Sequence, residues 1–206
     1  MNNQTDDEIA NIELVLPSWD QIYSLVLNLA EKIRNSNFVP DIIVGVSRGG
    51  WVPARILSDL LENSNLANVT TEFYVGIGQT KQEPVITQPV SVSVRAKKLL
   101  IVDDIADTGE SLKVVTAHLA EHGASEIKVA TIYYKEFSVT LPDFYEKQVD
   151  SWVVFPWERK ETTRKVVELL RSNKKSVDAA KEKLISSGLN REHAERFINE
   201  LFREKL

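Results

Sequence analysis

A run of apolar residues that stops at two adjacent aspartates constrains the fold of this chain more than any other feature. Residues 98–102, Lys-Leu-Leu-Ile-Val, have the length and character of a buried β-strand. Asp103 and Asp104 follow at once, and a helical pattern then runs from about Ser111 to Glu121 and ends at Gly123, a suitable helix C-cap. A buried strand, a polar loop and a helix in this order indicate an α/β fold with a parallel sheet.

Two other segments repeat this pattern. Residues 41–46 are a short apolar run followed by Ser-Arg-Gly-Gly, after which Pro53 suits the first turn of a helix. Residues 127–133 form a third apolar run, which ends just before Lys135. Ligands of open α/β sheets bind at the carboxyl ends of the strands. We therefore expect the three polar segments to meet at one edge of the sheet and to form a binding site.

Between these units the sequence predicts a helix capped by Ser18, a strand near residues 71–75 and a second strand at residues 90–94. Residues 76–88 are polar, contain two glycines and a proline, and show no periodicity, so we expect a loop there.

The last part of the chain has a different pattern. Apolar residues recur at helical spacing after Thr163, after Ser176 as far as Gly188, and after Asn190. These patterns predict three short helices in a compact bundle. We accordingly divide the chain into a first domain, residues 1–158, and a helical bundle, residues 159–206.

Composition excludes several classes of function. The chain has no cysteine, so thiolate catalysis and cysteine-based zinc sites are excluded, and its three histidines form no metal-ligand pattern. Its net charge is −5, whereas a dedicated nucleic-acid binder is normally strongly basic. No apolar run approaches the ~20 residues that span a bilayer, and no signal peptide is evident. We expect a cytoplasmic protein that binds neither nucleic acid nor membranes.

The loop that follows residues 98–102 has a definite chemistry. Near a helix N-terminus, free backbone N–H groups and the positive end of the helix dipole favour a phosphate. Gly109 permits close approach there, and the hydroxyls of Thr108 and Ser111 can donate hydrogen bonds. Asp103 and Asp104 would repel a phosphate but suit hydroxyls or a divalent cation. The predicted ligand carries a phosphate at one end and a diol at the other, as ribose 5-phosphate does.

Residues 99–112, Leu-Leu-Ile-Val-Asp-Asp-Ile-Ala-Asp-Thr-Gly-Glu-Ser-Leu, closely resemble the phosphoribosyl pyrophosphate motif of type I phosphoribosyltransferases. The resemblance implies the fold of that family, a parallel sheet flanked by helices with a small hood, here with an added C-terminal three-helix bundle. It also implies that Asp103 and Asp104 hold the ribose hydroxyls. The residues it assigns to the 5′-phosphate are Asp107, Thr108, Gly109, Glu110 and Ser111.

Other segments resemble the family in the same order. Residues 44–53 are similar to the pyrophosphate loop of bacterial and archaeal 6-oxopurine enzymes, which implies a cis peptide bond between Ser47 and Arg48 and pyrophosphate contacts from Ser47, Arg48, Gly49 and Gly50. Residues 76–88 resemble the catalytic flap, with Lys81 as a phosphate contact. The resemblance further assigns base recognition to Lys135, Trp152 and Val153, the last two in the hood.

The family's reaction displaces Mg²⁺-bound pyrophosphate from C1′ of phosphoribosyl pyrophosphate by N9 of a purine base. The resemblance implies Mg²⁺ as cofactor, bound through the pyrophosphate and also, if by protein side chains, by Asp103 and Asp104. It implies Arg48 and Asp107 as catalytic residues, a nucleotide product and a homodimer. The C-terminal helices resemble crenarchaeal adenine phosphoribosyltransferases, so we favour adenine as the base. The donor-only ammonium of Lys135 favours the alternative, a 6-oxopurine. A non-catalytic regulator that senses phosphoribosyl pyrophosphate is a third interpretation.

Overall fold

The apolar runs of the sequence form the central strands of a sheet in the computed structural model, which describes residues 13–75, 82–172 and 176–203. The strands are β1 (Leu14–Val15), β2 (Ile42–Ser47), β3 (Leu66–Val75), β4 (Gln82–Gln88), β5 (Lys98–Ala106), β6 (Glu126–Tyr134), β7 (Phe144–Gln148) and β8 (Trp152–Val153). The helices are α1 (Trp19–Asn35), α2 (Trp51–Leu60), α3 (Glu110–Glu121), α4 (Arg159–Ser172), α5 (Val177–Ser186) and α6 (Arg191–Arg203).

The larger sheet has six strands in the order β4-β3-β2-β5-β6-β7. All neighbouring strands are parallel except β3 and β4, which pair antiparallel at one edge. The apolar strands β2 and β5 lie at the centre of the sheet. Helix α2 connects β2 to β3 and helix α3 connects β5 to β6, whereas residues 135–143 join β6 to β7 without a helix. The prediction of a parallel α/β sheet flanked by helices is confirmed.

Two local predictions were wrong. Residues 82–88, expected as part of a loop, form β4, which pairs with β3 and contains Pro84 opposite Phe73. Proline is tolerated there because β4 is the outer strand of the sheet and need not donate to a further neighbour. Residues 90–94 form no strand despite their alternating pattern. Within that segment Val94 is buried in the sheet core, Val90 is partly buried against the same core and Val92 is 45% exposed, so side chains alternate in burial without strand pairing.

The described chain divides into two compact units, each with its own core. The larger unit is Asp20–Asp150 and contains the six-stranded sheet with most of α1 and all of α2 and α3. Helix α1 begins directly after Ser18, and its apolar residues recur at helical spacing, so one face is buried. The residues buried on that face are Ile22, Leu25, Val26, Leu29, Ala30 and Ile33.

The smaller unit joins the start of the chain, as far as Trp19, to Ser151–Leu206. Within it β1 pairs parallel with β8, and Leu14 and Val154 share a core with the three C-terminal helices. The helix residues of this core include Val166, Val167, Leu170, Ala180, Leu184, Ala194 and Ile198. Strand β8, which the sequence analysis assigned to the hood, thus lies in the same unit as the three C-terminal helices. The domain boundary expected after residue 158 stays a prediction.

The caps of the C-terminal helices follow from the sequence. The hydroxyl of Ser176 accepts a hydrogen bond from the Ala179 amide at 3.1 Å, and Asn190 Oδ1 accepts one from the His193 amide at 3.2 Å. Gly188 ends the middle helix with φ +108°, a conformation that favours glycine. The first helix, α4, begins at Arg159 and is therefore one turn longer than predicted. No helix in the described ranges is both long and apolar enough to cross a bilayer.

Candidate functional site

The three polar segments named from the sequence lie at one edge of the sheet in the larger unit. Strands β2, β5 and β6 are parallel and adjacent, so their carboxyl ends lie together. The register pairs Gly45 with Val102 and Asp103 with Thr131. Ser47 at the end of β2 therefore lies on one side of the acidic pair of β5, and the end of β6 lies on the other side of that pair. The predicted convergence of these loops is confirmed.

The loop after β2 turns sharply against β5. The Ser47–Arg48 peptide bond is cis, as the family resemblance implied. The Gly50 amide donates to the Val46 carbonyl at 2.8 Å, which folds residues 47–50 back over the strand end. A Cβ atom at Gly50 would meet the Val102 carbonyl and would lie 2.8 Å from Cα of Asp103. Only glycine allows the loop to lie so close to the backbone of β5.

Gly49 contacts the acidic pair directly. A Cβ atom at this position would lie 2.6 Å from Cγ and 2.8 Å from Oδ1 of Asp104, closer than any real van der Waals contact. Asp104 is 8% exposed. Gly49 belongs to the loop that the resemblance assigns to pyrophosphate, and Asp104 is a carboxylate that it assigns to ribose. The two residues are thus in contact, and position 49 has no room for a side chain.

The acidic pair carries an electrostatic cost in the free protein. Burial raises the pKa of Asp103 well above its ordinary value, and the adjacent Asp104 carboxylate raises it further. The Asp104 amide, which donates to Asp103 Oδ1 at 3.0 Å, and the Gly50 backbone oppose this rise. A ligand that donates hydroxyl hydrogen bonds or brings positive charge to the pair would relieve this cost.

The loop after β5 leads into the N-terminus of a twelve-residue helix. Gly109 is the N-cap residue of α3 with φ +76°, a left-handed conformation that favours glycine. Glu110 begins the helix and Ser111 follows it, while the side chains of Asp107 and Thr108 are exposed just ahead. The backbone amides of the first turn and the dipole of α3 make this end of the helix favourable for an anion such as a phosphate, and the Glu110 amide also donates to the Thr108 hydroxyl at 3.5 Å.

Lys135 joins the end of β6 to this loop. Its ammonium lies 3.3 Å from Oδ1 of Asp107, and its backbone amide donates to the Ala106 carbonyl at 3.0 Å. The lysine side chain is 16% exposed and the aspartate side chain 57% exposed, so the cation is held in the protein while the carboxylate faces solvent. The Lys135 ammonium also lies 5.5 Å from the ring centre of Phe137.

The chemistry of Asp103 and Asp104 is compatible with a magnesium ion. Within the described ranges no three His, Cys, Asp or Glu side chains are grouped as metal ligands. Asp103 and Asp104 offer two hard carboxylates, and Mg²⁺ commonly takes one or two of these together with water and substrate phosphates. The pair therefore fits an ion that arrives with a phosphorylated ligand.

The sequence analysis also assigned site roles to Lys81, Trp152 and Val153. Lys81 lies outside the described residues. Trp152 and Val153 form β8 in the smaller unit, and their role at the base stays a prediction. The sequence analysis missed residues 138–140, which contact the Thr108–Gly109 turn. The sequence contained a partial indication of this contact, because residues 138–140 follow a strand that ends at the same edge of the sheet.

These features define an α/β protein with a helix N-terminus, an acidic pair and a tight glycine loop at one edge of its sheet. The family model described as "Phosphoribosyl transferase domain" matches residues 18–162. The chain belongs to this family, among its purine phosphoribosyltransferases.

Specific relatives support this assignment. The chain is 30% identical over 143 residues to xanthine-guanine phosphoribosyltransferase of Gluconobacter oxydans, covering 68% of this chain and 82% of the relative. It is 31% identical over 151 residues to the protein of the same name from Cereibacter sphaeroides, covering 68% and 84%. A solved purine phosphoribosyltransferase from Pyrococcus horikoshii superposes with a TM-score of 0.64 at 38% identity, covering 71% of this chain and 95% of that structure.

Proposed function

We propose that this purine phosphoribosyltransferase uses a 6-oxopurine, so that guanine, xanthine or hypoxanthine is converted with phosphoribosyl pyrophosphate to the nucleoside 5′-monophosphate and pyrophosphate. The observation that carries the proposal is the Lys135 ammonium, held 3.3 Å from Asp107 at the end of β6. An ammonium only donates hydrogen bonds, so it complements the O6 acceptor of an oxopurine and opposes the amino group of adenine. The names of the two curated relatives favour the same bases.

The roles of the other residues in this proposal are those that the family resemblance implies. In this proposal the helix N-terminus with Asp107, Thr108, Gly109, Glu110 and Ser111 binds the 5′-phosphate, and Asp103 and Asp104 accept hydrogen bonds from the ribose hydroxyls. Ser47, Arg48, Gly49 and Gly50 bind the pyrophosphate, and the guanidinium of Arg48 offsets the charge that develops on it as it leaves. Mg²⁺ bound with the pyrophosphate would add to this neutralisation. As N9 attacks C1′ and the bond from C1′ to pyrophosphate breaks, the Asp107 carboxylate accepts the proton that the base loses from N7.

Catalysis of this kind needs no protein nucleophile. The residues named above act by holding two substrates in line and by placing charge where charge develops in the transition state. The acidic pair acts on ribose, where a cationic centre forms as pyrophosphate departs. The expected cytoplasmic location and homodimer remain predictions.

A panel assay tests the choice of base. Adenine, guanine, xanthine and hypoxanthine are each incubated with phosphoribosyl pyrophosphate and Mg²⁺, and nucleotides are separated by chromatography. We expect turnover of at least one oxopurine, and Lys135→Gln should lower its kcat/KM by about ten- to a hundredfold, because a hydrogen bond from a charged group is lost. Turnover of adenine alone would contradict the proposal and leave the enzyme class unchanged.

Adenine is the second candidate, and the C-terminal helices favour it. Helices α4, α5 and α6 form one core together with Leu14 and Val154, and the presence of these helices is the feature that resembles crenarchaeal adenine enzymes. If adenine is the substrate, Lys135 keeps its bond to Asp107 instead of binding the base. Lys135→Gln would then change adenine kinetics much less than oxopurine kinetics, so the same variant separates the two candidates.

A further inference from the structure

The segment that follows β6 supports the turn between β5 and α3 from behind. The Lys135 amide donates to the Ala106 carbonyl at 3.0 Å, and the Val139 amide donates to the Thr108 carbonyl at 2.9 Å. The Thr140 hydroxyl donates to the Gly109 carbonyl at 3.0 Å. Three carbonyl groups of the turn are therefore directed toward residues 135–140.

The direction of these carbonyls determines where the amides point. In a trans peptide unit the C=O and N–H bonds point in opposite directions. Because the Thr108 carbonyl faces Val139 and the Gly109 carbonyl faces Thr140, the amides of Gly109 and Glu110 point away from that segment. Carbonyl oxygens repel an anion and amide hydrogens attract one. The hydrogen bonds from residues 139 and 140 thus keep the repelling atoms at the back of the turn.

The packing around Gly109 shows how closely the two segments fit. A Cβ atom at Gly109 would meet the Ser138 hydroxyl and would lie 2.7 Å from the backbone nitrogen of Thr140. The hydroxyl of Ser138 in turn donates to the Thr140 carbonyl at 3.0 Å, which holds residues 138–140 in a tight bend. The turn at Thr108 and Gly109 therefore has no room to rotate toward residues 138–140. The orientation of the turn depends on the shape of the bend that those residues form.

We infer that Thr140 is a positioning residue for the 5′-phosphate: its hydroxyl holds the Gly109 carbonyl back so that the amides at the start of α3 face the ligand. The inference rests on the proposed assignment of residues 107–111 to the phosphate. Thr140 itself touches no substrate in this account and acts through the turn.

Thr140→Val tests the inference because it removes the hydroxyl and keeps the shape of the side chain. The Gly109 carbonyl still accepts a bond from the Lys113 amide at 3.0 Å, so it is not left without a donor. Binding of ribose 5-phosphate and of pyrophosphate, each with Mg²⁺, is measured by calorimetry on the full chain. We expect the Kd for ribose 5-phosphate to rise about three- to tenfold and the Kd for pyrophosphate to stay within about twofold, since one hydrogen bond behind one subsite is lost.

Matched variants separate positioning from general damage. Thr140→Ser restores the hydroxyl and should restore binding of ribose 5-phosphate. Thr116→Val, in α3, removes a hydroxyl that has no hydrogen-bond partner among the described residues and should leave binding of both ligands unaffected. Thr140→Ala carries the test if the valine variant fails to fold. In steady-state assays the KM for phosphoribosyl pyrophosphate should rise while kcat and the KM for the base stay near their wild-type values.

Three outcomes would overturn the inference: unchanged ribose 5-phosphate binding in Thr140→Val and Thr140→Ala, equal weakening of both ligands, or failure of Thr140→Ser to restore binding. Ser111→Asp tests the assignment on which the inference rests. An aspartate in the first turn suits the helix but repels a phosphate, so it should abolish ribose 5-phosphate binding without unfolding the protein. If Ser111→Asp acts as expected and Thr140→Val does not, only the role of Thr140 is refuted.

Discussion

Replacing Gly49 by alanine should inactivate the enzyme with little loss of stability. No left-handed φ is required at this position, so the backbone accepts an L-residue. The added Cβ would lie 2.6 Å from Cγ of Asp104, whereas ordinary van der Waals contact begins at 3.4 Å. Cγ must therefore retreat by 0.8 Å, from 2.6 to 3.4 Å, and Oδ2, the carboxylate atom nearest to the added Cβ, must move further. Because the obstructing atoms belong to the end of a side chain, the fold can adjust by turning Asp104.

The expected loss of activity follows from this displacement. A shift of about 1 Å in a group that orients substrate can lower the rate about a hundredfold. We expect Gly49→Ala to lower kcat by that order while the free energy of unfolding falls by less than about 1 kcal/mol, as for other substitutions that a side chain accommodates. Initial rates at saturating base and phosphoribosyl pyrophosphate give kcat, and urea denaturation gives the stability.

Two other glycines serve as controls. Gly50→Ala places its Cβ against the Val102 carbonyl and Asp103 Cα, which are backbone atoms, so stability should fall together with activity. Gly188→Ala, at φ +108° with no atom closer than 3.9 Å, should cost about 1–2 kcal/mol of stability through backbone strain and leave kcat unchanged. If Gly49→Ala keeps kcat within threefold of wild type, Asp104 has no role that depends on its position.

Three further predictions concern the acidic pair and the helical core. Asp104→Asn should lower kcat on the order of a hundredfold with a smaller change in the KM of the base, because charged hydrogen bonds to ribose strengthen in the transition state; near wild-type turnover would contradict its role. Asp103→Asn should raise Tm in Mg²⁺-free buffer. Because the pKa of Asp103 is raised in the folded protein, its ionisation lowers the stability of the fold. The gain in Tm from Asp103→Asn should therefore be absent below the ordinary pKa of 3.8 and should grow as pH rises through the pKa of the folded state. A gain in Tm that does not depend on pH would contradict this prediction. Leu184→Ala, at a side chain only 1% exposed, should destabilise the smaller unit by about 2–5 kcal/mol in thermal unfolding, with the partly buried Ile185→Ala costing less.

The elements that the sequence predicted are those whose signals lie within a few residues of one another. The apolar run at residues 98–102, the aspartates after it and the glycine before the helix are adjacent, so strand, loop and helix could be assigned together. The same holds for Ser176, Gly188 and Asn190, whose capping roles depend on the residues next to them. The order of such segments also sufficed to predict a parallel sheet and the edge at which its polar loops meet.

Other features depend on contacts between residues far apart in the chain. Strand β4 could not be predicted because its polar sequence forms a strand only beside the exposed edge of β3. The pairing of β1 with β8 joins Leu14 to Trp152, and the core of the C-terminal helices contains Val154 from the hood, so the hood belongs to the helical unit. The fit of Gly49 against Asp104 and of Thr140 against Gly109 likewise requires the folded backbone. Local sequence patterns therefore determine where strands, helices and caps form. Which distant segments come close together is determined by how those strands and helices pack.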